Sequence, residues 1–329
     1  MDDPLVSVLM PVYNGLPYVV DAIASIRAQS YDEFEIVIVD DGSSDGSSEA
    51  ILGIGDPRIR YIRNDSNRGI VYCLNMGVSE CRGKYIVRMD ADDICFPERL
   101  HVQVQYMESH LNIGVCGAAL HTFGARNEVW NPPSVSEMIK VIMLFKSALY
   151  HPTVIARKEI FLKYRYREGF DAAEDFDLWE RLLESGVEMT NIPKVLLKYR
   201  LHAEMTSIAW KDKQEVSADK IRLRQLKKMN LFPDAKCMGI HRQLSRNSNF
   251  NELELRTAAE WMRTIIHANN KFVRYDADLL KLYLSRRWIS LCGNSMVKGR
   301  QMMSIFLLGP RMPLTNLKRE QELLEQSVG

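Results

Sequence analysis

The chain has 329 residues, of which 46% are hydrophobic, and a formal net charge of only +1. These values exclude an intrinsically disordered chain and allow about two globular domains. The six cysteines are scattered without a CxxC pair, which favours reduced core thiols in a cytoplasmic protein over a disulfide framework. No apolar run reaches the ~18 residues of a membrane span. The first basic residue is Arg27, so no signal peptide is expected.

Charge is distributed unevenly along the chain. Residues 205–329 contain 22 Lys and Arg but 12 Asp and Glu, a net charge of +10, which leaves 21 basic and 30 acidic residues, a net charge of −9, for residues 1–204. A basic segment favours contact with an anionic partner. We expect peripheral binding to the inner face of the cytoplasmic membrane, because anionic lipids attract roughly 1 kcal/mol per Lys or Arg. Homo-oligomerisation through the C-terminal helices is the alternative, and no nucleic-acid partner is expected.

The first part of the chain alternates short apolar strands with helices. The loop PVYNG follows the first strand, and Asp40 and Asp41 follow the second. The second strand has almost no polar alternation, which indicates burial on both faces and hence a parallel sheet. The expected strands are 6–10, 34–39, 59–63 and 85–89, and the expected helices begin at Pro17, at Ser44 or Asp45, and at Arg68.

The remainder of the chain changes from mixed elements to helices alone. The strands expected there are 113–120, 151–156 and 194–200. The expected helices begin at Pro97 and Ser136, lie within 172–185, and then cover 214–229, 251–267, 276–291 and 314–326. The segment 297–313 combines a short apolar run with basic flanks, which suits a membrane interface. A Met-rich helix packed on its neighbours is an equally good interpretation of this segment.

The loops after the first, second and fourth strands are expected to form one site. Long crossovers between the strands predict a right-handed, mostly parallel, doubly wound sheet. In such a sheet, the loops at the carboxyl ends of the strands open onto one crevice. PVYNG, VDDGS and MDADD all occupy such positions. A dinucleotide site is excluded because Gly53 and Gly55 lead into a strand without the GxGxxG spacing, and the sequence contains no P-loop signature.

Two groups of acidic residues are candidates for chemistry. Asp90, Asp92 and Asp93 follow the fourth strand, and oxygen ligands of this kind suit a divalent cation. A solvated turn is the simpler alternative, because Asp is common where strands end. Glu174 and Asp175 open a later helix, where the helix dipole favours acids regardless of function. Their position before an aromatic helix nevertheless favours a functional role.

Seven motifs in chain order resemble those of glycosyltransferase family 2. They are PVYNG, VDDGS, NRG, GKYIVRMDADD, HPT, AEDFDLWERL and YRxH. The resemblance covers residues 5–207 and implies a GT-A fold, an α/β architecture with a Rossmann-like, mostly parallel sheet flanked by helices. It implies a catalytic domain at 1–207, with a nucleotide-sugar half of about 1–110 and an acceptor half of about 111–207. Residues 208–329 would form a basic helical C-terminal region.

The resemblance implies roles for the residues on the donor side. Tyr13 would stack on the nucleotide base, and Asp41 would accept a hydrogen bond from it. Arg68 would approach the donor phosphates, and Asp90 would contact the ribose. The full set of implied nucleotide-binding residues is Pro11, Tyr13, Asp40, Asp41, Arg68 and Asp90.

The resemblance also implies a metal site and a general base. Asp92 would bind the Mg²⁺ or Mn²⁺ that bridges the diphosphate, and His202 is a further candidate ligand, although Glu204 and Met205 interrupt the family's usual continuation after it. Asp175 would remove the proton of the acceptor hydroxyl. One base opposite the leaving group implies inversion at the anomeric carbon. The residues implied on the acceptor side are Glu174, Trp179 and His151.

The function expected from these roles is transfer of a hexosyl or N-acetylhexosaminyl group. The donor would be a nucleotide-sugar, foremost a UDP-sugar, and the acceptor a hydroxyl of a glycan or lipid-linked glycan in surface polysaccharide biosynthesis. A nucleotidyltransferase would need a Gly- and Arg-rich loop after the first strand, and PVYNG contains no basic residue. A non-catalytic sugar-binding or scaffold protein would be favoured by loss of the base or the metal aspartate, and both Asp175 and Asp92 are present.

Overall fold

A computed structural model describes residues 5–170, 172–202, 210–246, 248–295, 297, 305 and 307–310. The chain divides into two compact units. The first unit comprises Met1–Ser134 and Leu149–Gln214, and the second comprises Val135–Ala148 and Glu215–Gly329. None of the helices in the described ranges combines the length and the apolar character that a membrane crossing requires.

The described residues form nine strands and eleven α-helices. The strands are β1 Val6–Val12, β2 Phe34–Asp40, β3 Ile59–Arg63, β4 Tyr85–Arg88, β5 Ile94–Cys95, β6 Ile113–Gly124, β7 Val129–Trp130, β8 Ile155–Arg157 and β9 Glu188–Leu201. The helices are α1 Val19–Arg27, α2 Ser47–Leu52, α3 Ile70–Glu80, α4 Arg99–Ser109, α5 Ser136–Met143, α6 Lys158–Lys163, α7 Glu174–Glu184, α8 Lys211–Lys228, α9 Ala235–Gln243, α10 Glu252–Phe272 and α11 Ala277–Asn294.

The first unit is built on one sheet with the strand order β3-β2-β1-β4-β8-β6-β9-β5, and β7 pairs with β6. The strands β3, β2, β1 and β4 are parallel. Val12 pairs with Asp40, and Asp40 pairs with Arg63, so the carboxyl ends of β1, β2 and β3 lie side by side. Leu9 pairs with Arg88, so β4 ends at the same edge, and the loops after β1, β2 and β4 share this edge as predicted. Beyond β4, the strand β8 is antiparallel to both of its neighbours.

The core of the first unit explains the uninterrupted apolar strands. Every residue of β1 and β2 is buried, as expected for strands that are covered on both faces. The helix α3 approaches β1 through Gly77. A Cβ atom at this position would lie 2.1 Å from Cδ1 of Leu9, so only glycine permits the contact.

Two strand predictions differ from the structure, and a proline lies at each difference. Residues 151–156 were expected to form a strand, but His151–Thr153 is a 3₁₀-helix and β8 begins at Ile155. Pro152 has no N–H group for a strand ladder. The strand predicted at 194–200 begins earlier, at Glu188, because it continues past Pro193. The register shifts there, from Ile192 opposite Ala118 to Val195 opposite Ala119, so the proline lies in a bulge.

The described residues of the second unit form helices and the turns between them, as the sequence predicts. Its core includes Phe250, Trp261 and Trp288. Buried His241 accepts a hydrogen bond from Trp261 on Nδ1, so its Nε2–H group donates to the carbonyl of Leu144. Burial lowers the pKa of His241 to about 4, which fits a neutral ring that joins the segment after α5 to this core.

Some helices of the structure were not predicted, and one prediction lies outside the described residues. The short helices α6 and α9 were missed, although Asp234 caps α9 by accepting a hydrogen bond from the N–H of Cys237. The helices predicted at 214–229, 251–267 and 276–291 correspond to α8, α10 and α11. The helix predicted at 314–326 and most of the segment 297–313 lie outside the described residues.

Candidate active site

Two buried carboxylates, Asp40 at the end of β2 and Asp41 directly after it, accept several hydrogen bonds from the protein. Asp40 accepts hydrogen bonds from the N–H of Ser43 and from the hydroxyls of Ser48 and Tyr61. Although burial alone would raise it, these bonds leave the pKa of Asp40 below its ordinary value. Asp40 therefore stabilises the turn that follows β2.

Asp41 organises the neighbouring NRG loop. Its Oδ1 atom accepts hydrogen bonds from Nδ2 of Asn64, at 2.7 Å, and from the N–H of Arg68, at 2.8 Å. Its Oδ2 atom accepts one from the N–H of Gly69, at 2.8 Å. Gly69 has a φ angle of +85°, which glycine adopts at little cost. The carboxylate of Asp41 thus fixes the start of α3 and the place of Arg68.

The remaining predicted donor residues lie beside these loops. Pro11 is buried near the end of β1, whereas Tyr13, the first residue after this strand, is 53% exposed. The N–H of Asp41 donates to the carbonyl of Val12, which joins the two loops. The guanidinium of Arg68 lies 4.1 Å from the centre of the Tyr72 ring. An exposed aromatic ring and a cation therefore flank the turn that Asp41 holds.

The loop after β4 brings three carboxylates together. One oxygen each of Asp90, Asp92 and Asp93 lies within 4.8 Å of the others. Asp90 and Asp92 are half-buried, and Asp93 is fully buried. The Oδ2 atom of Asp93 has no hydrogen-bond partner among the residues that the structure describes. Hard oxygen donors in this arrangement suit a divalent cation.

Crowding and burial oppose ionisation of these acids. Burial and the charge of Asp90 raise the pKa of Asp92, although His202 opposes the shift. Burial, Asp90 and Asp92 together raise the pKa of Asp93 well above its ordinary value. A bound cation would favour the ionised carboxylates and offset their repulsion. The negative charge of this cluster is therefore not fully compensated by the described protein groups. At the loop after β2, by contrast, hydrogen bonds lower the pKa of Asp40.

The end of β9 holds the acidic loop in place. The ring of His202 lies 3.0 Å from Oδ2 of Asp92 through Nε2. The side chain of Arg200 donates from Nε to the carbonyl of Asp92, and its backbone N–H donates to Oδ1 of Asp93. The structure thus brings predicted Asp92, Asp93 and His202 together and adds Arg200, whose role the sequence did not indicate.

Two of the predicted acceptor-side residues, His151 and Glu174, lie close enough to buried Arg88 for its charge to affect their pKa values. Arg88 on β4 forms an ion pair with Asp90 at 2.5 Å. Nε2 of His151 lies 2.9 Å from the hydroxyl of Tyr166, and Nδ1 of His151 lies 3.8 Å from Oε1 of Glu174. Burial, and secondarily the charge of Arg88, lowers the pKa of His151 well below its ordinary value. Burial and the charge of neighbouring Asp175 raise the pKa of Glu174 to about 7.

The helix α7 presents its acids in different ways. Glu174 is buried, Asp175 is half-buried, and Asp177 is fully buried in ion pairs with Arg167 and Arg181. Asp177 therefore has a structural role. Asp175 keeps partial access to solvent in the first turn of the helix.

Trp179 on α7 is fully buried and packs on two rings. Its ring centre lies 5.9 Å from that of His151 and 6.2 Å from that of Phe161. Any contribution of Trp179 to the acceptor side therefore passes through His151, which it supports.

Comparisons with known proteins identify the family. A sequence model described as glycosyl transferase family 2 matches residues 7–168. A glycosyltransferase of Haemophilus influenzae, described as uncharacterized, is 32% identical over 67% of this chain and 72% of that protein. The chain belongs to glycosyltransferase family 2. The O-antigen biosynthesis glycosyltransferase WbnJ of Escherichia coli is 31% identical to this family member over 61% of the chain and 82% of its own length.

Solved glycosyltransferase structures share the fold of this family 2 protein. S. aureus TarS, crystallised with UDP-GlcNAc, has a TM-score of 0.59 at 16% identity, covering 96% of this chain and 92% of that one. The mannosyltransferase PcManGT from Pyrobaculum calidifontis, in complex with GDP-Man and Mn²⁺, has a TM-score of 0.58 at 16% identity, covering 88% and 86%. These likenesses confirm the expected GT-A fold. Together with the named relatives, they identify this chain as a glycosyltransferase.

Proposed function

We propose that this glycosyltransferase is a metal-dependent, inverting enzyme of surface polysaccharide biosynthesis. It transfers a hexosyl or N-acetylhexosaminyl group from a nucleotide-sugar, foremost a UDP-sugar, to a hydroxyl of a glycan or lipid-linked glycan. The observation that carries the proposal is the cluster of Asp90, Asp92 and Asp93, with one oxygen of each within 4.8 Å of the others. The O-antigen role named for WbnJ supports the polysaccharide assignment. The UDP-GlcNAc in TarS and the GDP-Man with Mn²⁺ in PcManGT support the donor and the metal.

The residues of the acidic loop fit a divalent cation. They offer only oxygen donors, and the Oδ2 atom of Asp93 is buried without a hydrogen-bond partner among the described residues. Asp92 and Asp93 would hold Mg²⁺ or Mn²⁺, and His202 beside Asp92 is a further candidate ligand. Such a cation offsets the negative charge that develops on the nucleoside diphosphate as it leaves.

The donor side binds and orients the nucleotide. Tyr13, whose ring is exposed, would stack on the base, and Arg68, whose guanidinium lies over the Tyr72 ring, would face the phosphates. The N–H groups of Arg68 and Gly69 already occupy the carboxylate of Asp41, so a hydrogen bond from the base to this carboxylate would be an additional bond at a lone pair that remains. Asp90 contacts the ribose and is held by Arg88.

The acceptor side supplies the base. Asp175 removes the proton from the attacking hydroxyl, and a single displacement on the face opposite the diphosphate inverts the anomeric carbon. Burial and the charge of Asp175 raise the pKa of Glu174 to about 7, so a second negative charge beside Asp175 is disfavoured.

A calorimetric screen of nucleotides tests the proposal. UDP, GDP, CMP and dTDP are each titrated into the protein with and without Mn²⁺. We expect one diphosphate to bind tightly, and only when Mn²⁺ is present. Absence of binding by every nucleotide under both conditions would contradict the enzyme proposal and favour a scaffold on the same fold.

A separate proposal concerns the membrane surface. Phe232 after α8 is 70% exposed and Val273 after α10 is 79% exposed. The Tyr275 hydroxyl donates to Oε1 of Gln225 at 3.4 Å, which places the turns after α8 and α10 at the same end of the second unit. Exposed Lys227 in the last turn of α8 accompanies these apolar side chains. An anionic bilayer suits such a surface, and it would keep the enzyme near a lipid-linked acceptor.

Vesicle sedimentation tests the membrane proposal. We expect binding to vesicles with anionic phosphatidylglycerol and none to neutral phosphatidylcholine vesicles. The double substitution of Phe232 and Val273 by Ser should abolish binding, whereas Leu253→Ser, which removes an exposed side chain from the first turn of α10, should not. Equal sedimentation of both variants, or a concentration-dependent dimer without vesicle binding, would favour self-association of the C-terminal region instead.

A further inference from the structure

The side chain of Arg200 at the end of β9 has an unusual setting next to the acidic loop. Its guanidinium lies 4.3 Å from the centre of the Tyr18 ring and 4.5 Å from that of Phe123. From this position Nε donates to the carbonyl of Asp92 at 2.8 Å. We propose that Arg200 is a positioning residue that sets the divalent-cation affinity of Asp92 and Asp93. This inference rests on the proposed metal site.

The contacts of Arg200 determine how the acidic loop presents its oxygens. The side chain holds the backbone at Asp92, and the N–H of Arg200 occupies Oδ1 of Asp93 at 3.0 Å. This second bond leaves Oδ2 of Asp93 as the buried oxygen without a partner among the described residues. His202, two residues further on, contacts Oδ2 of Asp92. Two residues at the end of β9, Arg200 and His202, therefore hold both Asp92 and Asp93 in place.

Sheet register explains why an arginine can be held so firmly here. Arg200 pairs with Phe123 across β6 and β9, so the ring and the guanidinium are direct cross-strand neighbours. Tyr18 contacts the guanidinium as well as the ring of His202, at 5.1 Å between ring centres. Two rings against one planar cation restrict its rotation, and Nε then has one direction in which to donate.

Lysine cannot replace this arrangement. It keeps the positive charge, but its ammonium group has neither the planar surface that packs on two rings nor an Nε–H fixed by the plane of the group. Arg200→Lys should therefore leave the local charge unchanged and release the loop at Asp92. Residues that orient metal ligands typically change metal affinity by roughly 10- to 100-fold when they are replaced.

The test is a titration of the full chain with Mn²⁺ alone, followed by electron paramagnetic resonance of the free ion. We expect Arg200→Lys to weaken Mn²⁺ binding about tenfold or more. Saturating Mn²⁺ should restore UDP binding in this variant, which a general loss of structure would not allow. A second variant, Phe123→Leu, removes one ring and keeps the arginine, and it should weaken Mn²⁺ binding by a smaller factor of about two to five.

The matched control is Arg58→Lys. Arg58 also packs on a ring, 4.5 Å from the centre of Phe34, and also makes a hydrogen bond through Nε, to Asp56. Arg58 precedes β3 and so lies at the amino-terminal edge of the parallel strands. The acidic loop follows β4 at their carboxyl edge. We expect this variant to bind Mn²⁺ as the wild type does. Unchanged Mn²⁺ affinity in both Arg200→Lys and Phe123→Leu would overturn the inference alone. Failure of the wild type to bind Mn²⁺, even with UDP, would overturn the proposed metal site and the inference with it.

Discussion

Two acidic loops, one on each side of the end of β1, use the same residue type for opposite purposes. After β2, the carboxylates of Asp40 and Asp41 accept hydrogen bonds from backbone N–H groups and side chains. After β4, Asp92 and Asp93 lie near a third acid, and one oxygen of Asp93 has no partner in the described part of the chain. The pKa of Asp40 is lowered, whereas those of Asp92 and Asp93 are raised by burial and mutual charge.

This difference shows what distinguishes a structural acid from a ligand at the end of a strand. A carboxylate whose oxygens are satisfied by the protein stabilises its own loop. Carboxylates that are buried near each other without enough donors cost free energy unless a cation or protons compensate them. Without a bound ligand, the loop after β4 retains this unfavourable free energy, as is typical of a binding site.

The largest effect is expected at Asp175, the proposed base, which lies in neither of the two loops. Asp175→Asn should reduce sugar transfer by roughly 10²- to 10⁴-fold, because the amide cannot accept the proton of the acceptor hydroxyl. Steady-state transfer assays measure this loss. Calorimetry should show unchanged metal-dependent UDP binding, since both acidic loops are intact. Parallel loss of UDP binding would mean that Asp175 acts in the donor site instead.

Asp92→Asn should remove metal-dependent donor binding. We expect a loss of about 10²-fold in UDP affinity with Mn²⁺ and almost no change without it, because the variant retains the base-stacking and phosphate contacts. Titration calorimetry under both conditions measures the difference. Retention of the full Mn²⁺ effect by the variant would show that Asp92 is not a ligand.

Asp40→Asn, at the loop after β2, should lower the stability of the protein without changing its response to Mn²⁺. The amide cannot accept all of the bonds from Ser43, Ser48 and Tyr61, so the free energy of unfolding should fall by about 1–3 kcal/mol. Urea denaturation measures the change. The ratio of UDP affinities with and without Mn²⁺ should remain that of the wild type. A changed ratio would break the distinction between the two loops.

The smallest effect is a pH dependence of stabilisation by Mn²⁺. The folded-state pKa values of Asp92 and Asp93 are raised, so these groups bind protons in the folded protein at a pH where ordinary Asp is ionised. Their unfavourable contribution to folding grows as the pH rises through the raised values, and protons compete with the metal below them. The increase in melting temperature caused by Mn²⁺ should therefore be smaller at about pH 5.5 than at about pH 7.5. An equal increase at both values would contradict raised pKa values in the metal-free protein.

The sequence predicted the sheet and its loops well because those features depend on local patterns. Uninterrupted apolar strands followed by Asp and Gly identified the ends of β1, β2 and β4, and the fold class was confirmed. The proline at 193 concealed the first part of β9, since a bulge depends on the partner strand rather than on the residue alone. The domain boundary predicted at 207 stays a prediction.

The site residues that the sequence missed depend on contacts between distant segments. Phe123 and Arg200 become neighbours only through the pairing of β6 with β9. The sequence indicated Asp93 as one of three candidate ligands, but not that its side chain is fully buried with an oxygen that has no partner among the described residues. The complete burial of Trp179 likewise depends on distant segments, because its ring packs on His151 and Phe161.

The most direct test of the contrast between the two loops is anomalous diffraction from crystals of the protein grown with Mn²⁺ and UDP. We predict one manganese peak at the carboxylates of Asp92 and Asp93, and none beside Asp40 and Asp41. A manganese peak at the loop after β2, or fully occupied UDP with no peak at the loop after β4, would contradict this account.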